Sequence, residues 1–515
     1  MRRPSAARTE FIPVCLSLAD LLGRDYIDAV VAARSKLTGE RVRPLRRLAN
    51  ERVDFFPRRM QQALAGLLPK VGRRIAPPAV GTARGASTAA FEAASRTDAA
   101  PLAGWGYCRT GEDGRLYFIS KSEHYHAPLG HSFPGYRLLD HARRLGIPNA
   151  THNNTRGHVA RLLEEELVRA AGGRAAGGRS RPGSLSRVLN LETGSLAAEA
   201  GVKMMLARFH KVQAGSPEPP RGGRVPVLVV IGDDAGGLQA NYHGTTIADQ
   251  LLRGMWPTLR EAAAGGGFLE VVPVRPNDIA GLEAVFRRCR RGRRAIAGFI
   301  HEIILMNYGG RLLSRAFLRR AYQLCREHDV PAMVDEIQSC LWSPRLFMYR
   351  EYGLRPSFVV AGKGFPGGEF PASRIIFTAE MDTLPQFAAL VTNGQEELAS
   401  LACLITMRWA EANAAVTEAV GEHYEARLRG LVRAYPRHLD RFEGRRHLAA
   451  LCFRRIETAK AFARTLSDGG LDISVQSYKA DCPPAALTKL PLIAGRDAVD
   501  FVVSRMDAAL AGLDG

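Results

Sequence analysis

The sequence has no run of about eighteen apolar residues, so nothing in it reads as a membrane span. Its first residues, MRRPSAARTEFIP, carry arginines with no apolar stretch behind them. That excludes the pattern of a secretory signal, although an Arg-rich, acid-poor start also has the composition of an organelle transit peptide. Cysteine is sparse and scattered: the eight residues, from Cys15 to Cys482, form no CxxC and no Cys/His spacing. Structural zinc and a disulfide scaffold are therefore not expected, no metal site is assigned, and a reducing cytoplasm fits best. Lysine is scarce too. Only nine of the 71 basic residues are lysine, and arginine is spread along the whole chain. The net charge of +20 thus looks like a coding bias rather than a patch. Clusters such as RRCRRGRR (Arg287 to Arg294) lack interleaved aromatics for base stacking, so no nucleic-acid partner is expected.

What is present is ordinary for a globular protein, with 46% apolar and 24% charged residues. At 515 residues the chain exceeds one hydrophobic core, which predicts two or three domains. Helical apolar spacing between about residues 15 and 70 is followed by an Ala/Gly/Pro/Ser/Thr-rich stretch from Pro77 to about Gly104. Residues 1–104 are accordingly read as a helical extension plus linker. GRLYFIS (Gly114 to Ser120) predicts a strand, HVARLLEEELVRAA (His158 to Ala171) a helix, and AGGRAAGGRSRPGS (Ala171 to Ser184) a flexible loop. Six short apolar runs then alternate with amphipathic helices: VPVLVVIG from Val225, FLEVVPV from Phe268, AIAGFI from Ala295, PAMVDE from Pro331, SFVVAGK from Ser357 and SRIIFT from Ser373. This alternation predicts an α/β fold with a mostly parallel, helix-covered sheet, whose ligands bind beyond the carboxyl ends of the strands. The expected divisions are 105–184 as the lead-in to a small domain, 185–391 as the large ligand-binding domain, and 392–515 as a small α+β domain.

Two strand ends carry the chemistry. Asp335 closes one wholly apolar strand and Lys363 closes the next. A carboxylate in that position costs free energy unless it is paired. A structural ion pair between the two fits as well as a functional pair, and the residues alone leave these readings level.

The surrounding motifs add a resemblance. VDEIQSC (Val334 to Cys340), followed by GKG (Gly362 to Gly364), resembles the signature of the class III aminotransferases, pyridoxal-phosphate enzymes of fold type I with a seven-stranded sheet. The resemblance implies that Lys363 holds the cofactor as a Schiff base, that Asp335 meets the pyridine nitrogen, and that Gln338 contacts the ring's phenolic oxygen. NLETGSLAAEAGVKMMLAR (Asn190 to Arg208) is similar to the family's segment leading into a helix, placing Gly194 and Ser195 at the cofactor phosphate. A plain serine cap is the simpler reading of that segment alone. NYHGTT (Asn241 to Thr246) places Tyr242 against the pyridine face, with no role carried over for His243. VTNGQEELASLA (Val391 to Ala402) places Thr392 at the phosphate of a neighbouring subunit, implying a homodimer with shared active sites. APLGHSFPG (Ala127 to Gly135) and GFIHEI (Gly298 to Ile303) follow the family order, the latter giving Glu302 as a buried hydrogen-bonding acid near the cofactor.

The implied activity is transfer of an amino group from a primary amine or amino acid to a 2-oxo acid, by ping-pong kinetics. Another reaction on the same cofactor (aminomutase, phospho-lyase or racemase) and an inactive binding homologue stand as alternatives. The sequence departs from the family where a glutamate gates a substrate-binding arginine, a position that is Asn307 here. CLWSPRL and GQEE replace two further family segments, so substrate identity is not carried over.

Overall fold

The protein is described from a computed structural model, which covers residues 10–152, 154–172, 183–232, 240–477 and 482–513. Most of the Ala171 to Ser184 stretch lies outside the described residues. At the centre is a seven-stranded sheet. Its strands are β1 (Leu185–Leu191), β2 (Val225–Ile231), β3 (Glu270–Val274), β4 (Arg294–His301), β5 (Ala332–Asp335), β6 (Phe358–Ala361) and β7 (Ser373–Thr378). Their spatial order is β1-β7-β6-β5-β4-β2-β3. Four neighbouring pairs are parallel, and only β7 runs antiparallel to both of its partners.

Both faces of this sheet are covered, which is why its strands read as continuous apolar runs rather than alternating ones. Along β2, Val227, Val229 and Ile231 enter one core cluster while Leu228 and Val230 enter another. Helix α1 (Gly194–Leu206) supplies Ala197, Ala198, Val202 and Met205 to the second cluster, against Met333 of β5 and Val360 of β6. Burying both sides of β2, β5 and β6 contributes about 1.5–3 kcal/mol for each large aliphatic residue, which fixes the strand ends that carry the site.

A four-stranded antiparallel sheet in the order Leu439–Arg445, Leu448–Phe453, Ala485–Lys489, Ser474–Gln476 lies towards the C-terminus. A three-stranded antiparallel sheet is formed by Pro101–Trp105, Cys108–Gly111 and Leu116–Phe118. Segments flanking the N-terminal helices pack onto the C-terminal half. Ile12 N–H donates to Asn413 Oδ1 at 2.7 Å, and the rings of Phe11 and Phe56 lie 5.6 and 6.4 Å from that of Trp409.

One segment has no counterpart in the sequence reading. Ser122, Glu123, His124 and Tyr125 take φ values of 47°, 47°, 57° and 76°, a left-handed turn without glycine. Each such residue costs about 1–2 kcal/mol, and strain of this kind concentrates at functional sites.

Candidate active site

The carboxyl ends of the parallel strands deliver the candidate residues to one place. Asp335 is the last residue of β5, Glu302 follows β4, Tyr242 and His243 lie on the connection after β2, and Lys363 sits two residues beyond β6. Gly194 and Ser195 open helix α1. All seven residues that the sequence places beside the cofactor within one chain line a single cavity of about 100 Å³: Gly194, Ser195, Tyr242, Glu302, Asp335, Gln338 and Lys363. Thr392 is exposed and lies elsewhere.

The ion-pair reading of Asp335 and Lys363 is not what the side chains adopt. Asp335 Oδ2 accepts a hydrogen bond from His243 Nδ1 at 2.8 Å, and Oδ1 accepts the Ile337 N–H at 3.0 Å. With the carboxylate oxygen as acceptor, the ring's Nδ1 is the donor of this contact. Both side chains are buried. Among the described residues no ion pair joins Lys363 to any acid. Its backbone is held at φ 43°, and its Nζ lies 5.2 Å from the centre of the Tyr125 ring, on the left-handed turn. Burial pulls the amine's proton affinity below that of an ordinary lysine.

Tyr125 gathers two more amines. Lys121 and Lys489 place Nζ 5.4 and 5.2 Å from the same ring centre. Lys489 is fully buried, donates to the Gln338 carbonyl at 2.5 Å and stands 3.6 Å from the centre of the Trp342 ring. Burial holds its proton affinity well below the usual lysine range. Three of nine lysines thus meet at one ring.

Gln338 Nε2 donates to Glu302 Oε1 at 3.1 Å. Burial foremost, and then the charge of Asp335, push the Glu302 carboxyl up to about 8. The other strand-end acid, Glu336, is structural: it accepts the Tyr349 N–H at 2.7 Å and the Ser339 hydroxyl. Tyr242 is half-buried, with the Arg253 guanidinium 5.1 Å over its ring.

At the start of α1 the cap is Thr193, whose hydroxyl accepts the Leu196 N–H at 3.4 Å, so Ser195 is free for another task. Its Oγ accepts the Thr245 N–H at 3.0 Å, tying the helix start to the segment after Tyr242. Gly194 has a steric reason: a Cβ there would stand 2.0 Å from Ile337 Cδ1. Glycine lets the helix N-terminus, with its unpaired N–H groups and positive dipole end, approach the floor that carries Asp335.

These residues suit pyridoxal phosphate. Gln338 Oε1, Glu302 Oε2 and His243 Nε2 are buried polar atoms with no protein partner among the described residues, at or beside the cavity. They leave hydrogen-bonding capacity for a polar ring, with an anion cup at one end and a lysine amine at the other. Sequence reasoning gave no role to His243, Tyr125 or Lys489. His243 had a signal, its place beside Tyr242 after an apolar strand; Tyr125 and Lys489 arrive from distant segments and had none.

Comparison with known proteins finds aminotransferases. An ornithine aminotransferase of an Exiguobacterium species is 31% identical over 202 residues, covering 38% of this chain and 43% of that protein. An acetylornithine aminotransferase of Parasynechococcus marenigrum is 24% identical over 240 residues, covering 46% of this chain and 56% of that protein. The matched stretches therefore span less than two thirds of these relatives' own lengths. Among solved structures, an ornithine aminotransferase from Toxoplasma gondii with partial occupancy of PLP at its active site superposes with a TM-score of 0.61 at 18% identity, covering 80% of this chain and 90% of that one. The family model for class III aminotransferases matches residues 106–475, most of the chain. The chain belongs to the class III aminotransferase family.

Proposed function

We propose that this chain is a pyridoxal-phosphate-dependent aminotransferase that moves an amino group from a primary amine or amino acid to a 2-oxo acid. The observation that carries the reading is the convergence of Lys363, the His243-supported Asp335 and the Gly194/Ser195 cup on one cavity. Lys363 would hold the cofactor covalently, Asp335 would face its ring nitrogen, Gln338 and Glu302 its ring oxygen, Tyr242 its face, and Gly194 and Ser195 its phosphate. Bound there, the cofactor supplies an electron-withdrawing ring that stabilises charge left on the substrate carbon.

The protein's own groups do the rest. Asp335 would hold a proton on the ring nitrogen, and the two hydrogen bonds it accepts fix its carboxylate in place. Lys363, its proton affinity lowered by burial, is uncharged more of the time and so able to take a proton from one carbon and return it to another. The same reading includes a homodimer in which the exposed Thr392 of one subunit reaches the phosphate held by the other. It also includes the divisions 1–104, 105–184, 185–391 and 392–515, and a cytoplasmic location, which eight scattered cysteines with no CxxC spacing suit. The test is borohydride reduction of the cofactor-loaded protein followed by peptide mapping, with turnover assayed on a panel of amines against 2-oxoglutarate and pyruvate. Label on Lys363, together with amino exchange that Lys363→Ala abolishes, is the expected result. Label on another lysine overturns the assignment.

A further inference from the structure

Behind the anion cup sits a carboxyl that the proposed chemistry does not use. Asp249 lies in the first turn of helix α2 (Ile247–Arg253), whose cap Thr246 accepts the Asp249 N–H at 3.3 Å. Its side chain is fully buried, and neither carboxyl oxygen has a well-formed hydrogen bond among the described residues, Thr246 being the donor that acts on it. The carboxyl is aimed at the cup. A Cβ built on Gly244 would stand 2.1 Å from Asp249 Oδ2 and 2.7 Å from Ser195 Cα, so acid and serine flank the same glycine. Gly244 takes φ 155°, which permits the close approach.

Among the described residues no ion pair reaches it, and the charges facing it are acidic: Glu199 from α1 and Asp335 from the end of β5. Lys203 is turned to Glu199 at 3.2 Å, while Arg253 lies over the ring of Tyr242, a further titratable neighbour. Burial outweighs the opposing influence of Thr246, and with the charges of Glu199 and Asp335 it pushes the Asp249 carboxyl up to about 8.

We propose that Asp249 is a proton-linked gate on the anion cup, neutral when a phosphate sits beside Ser195 and repelling that phosphate when ionised. The inference rests on the reading of Gly194 and Ser195 as the phosphate residues. A phosphate ester is already close to a dianion above about pH 7, so the gate, not the ligand, titrates from there upward. A dianion beside the cup raises the proton affinity of a neighbouring acid. Binding therefore retains or takes up a proton on Asp249, and affinity falls as pH rises through its midpoint.

The experiment uses the full chain without cofactor and pyridoxamine 5′-phosphate as probe, which lacks the aldehyde and forms no bond to Lys363. Its dissociation constant is measured from about pH 7 to about pH 9.5 for wild type, Asp249→Asn and Asp249→Ala. Near pH 7 wild type and Asp249→Asn should bind alike; at the alkaline end Asp249→Asn should bind about tenfold more tightly, the effect of a one-unit coupling. Pyridoxamine without phosphate should show no such divergence. A wild-type-to-variant ratio constant across pH overturns the gate alone. A probe that binds no better with its phosphate than without it overturns the cup and the gate together. Should both variants fail to fold, calorimetry on wild type near pH 8.5 in buffers of different ionisation enthalpy decides. More proton uptake with the phosphorylated probe than with pyridoxamine supports the gate, and equal uptake overturns it.

Discussion

Replacing His243 with phenylalanine keeps a ring of similar size but removes the Nδ1–H that Asp335 Oδ2 accepts at 2.8 Å. Asp335 then keeps one donor, the Ile337 N–H at 3.0 Å, in a buried site. A hydrogen bond to a charged group in such a place contributes about 1.5–3 kcal/mol. If that support is what holds the Asp335 carboxylate against the ring nitrogen, its loss raises the barrier to proton removal by a similar amount, about 10- to 150-fold in rate. The assay is a single-turnover reaction of cofactor-loaded protein with an amine, followed by the change in cofactor absorbance, with thermal unfolding measured alongside. The variant should hold cofactor and unfold cooperatively while its single-turnover rate drops into that range. A folded, cofactor-loaded variant reacting at the wild-type rate would refute the reasoning, because Asp335 would then need no support from His243.

Three further outcomes are expected. Gly194→Ala puts a methyl 2.0 Å from Ile337 Cδ1; overpacking of this kind costs about 1–3 kcal/mol, and a dialysis titration should show weaker cofactor binding in a chain that still folds. Glu302 is pushed from 4.5 up to about 8, so the unfolded chain sheds this proton before the folded one does, and stability contributed by the neutral form is lost as pH rises across that interval. Glu302→Gln should flatten denaturation midpoints between about pH 5 and about pH 8, and an unchanged slope would show that Glu302 is not the group responsible. Thr392→Val should release cofactor at higher protein concentration than wild type on dilution, with light scattering reporting dimer loss in parallel; a variant that retains cofactor like wild type removes Thr392 from the shared site.

The parts of the site legible in the sequence were those set by the strands. Asp335 and Lys363 stand at the ends of unbroken apolar runs, and two-sided burial makes such runs conspicuous. β1 escaped that reading because Arg187 and Asn190 interrupt LSRVLNL, as befits an edge strand with a single partner. The Asn190 side chain is nonetheless buried, and donates to Glu164 at 2.7 Å. The turn at Ser122 to Tyr125 was illegible for a different reason. Left-handed backbone is normally announced by glycine or asparagine, and this turn has neither. Its conformation is imposed by what surrounds it, for example the Ser122 hydroxyl bonded to the Lys489 carbonyl at 2.6 Å.

That turn changes what a titration of turnover would measure. With Lys121, Lys363 and Lys489 all within 5.4 Å of the Tyr125 ring centre, each ammonium disfavours the next. The charge of Lys121 lowers the proton affinity of Lys363, and that of Lys363 lowers Lys489. Amines so coupled lose their protons in macroscopic steps that belong to the group. Altering Lys121 or Lys489 should therefore move a midpoint ordinarily ascribed to Lys363, and the alkaline limb of a pH–rate profile counts protons on a cluster of three.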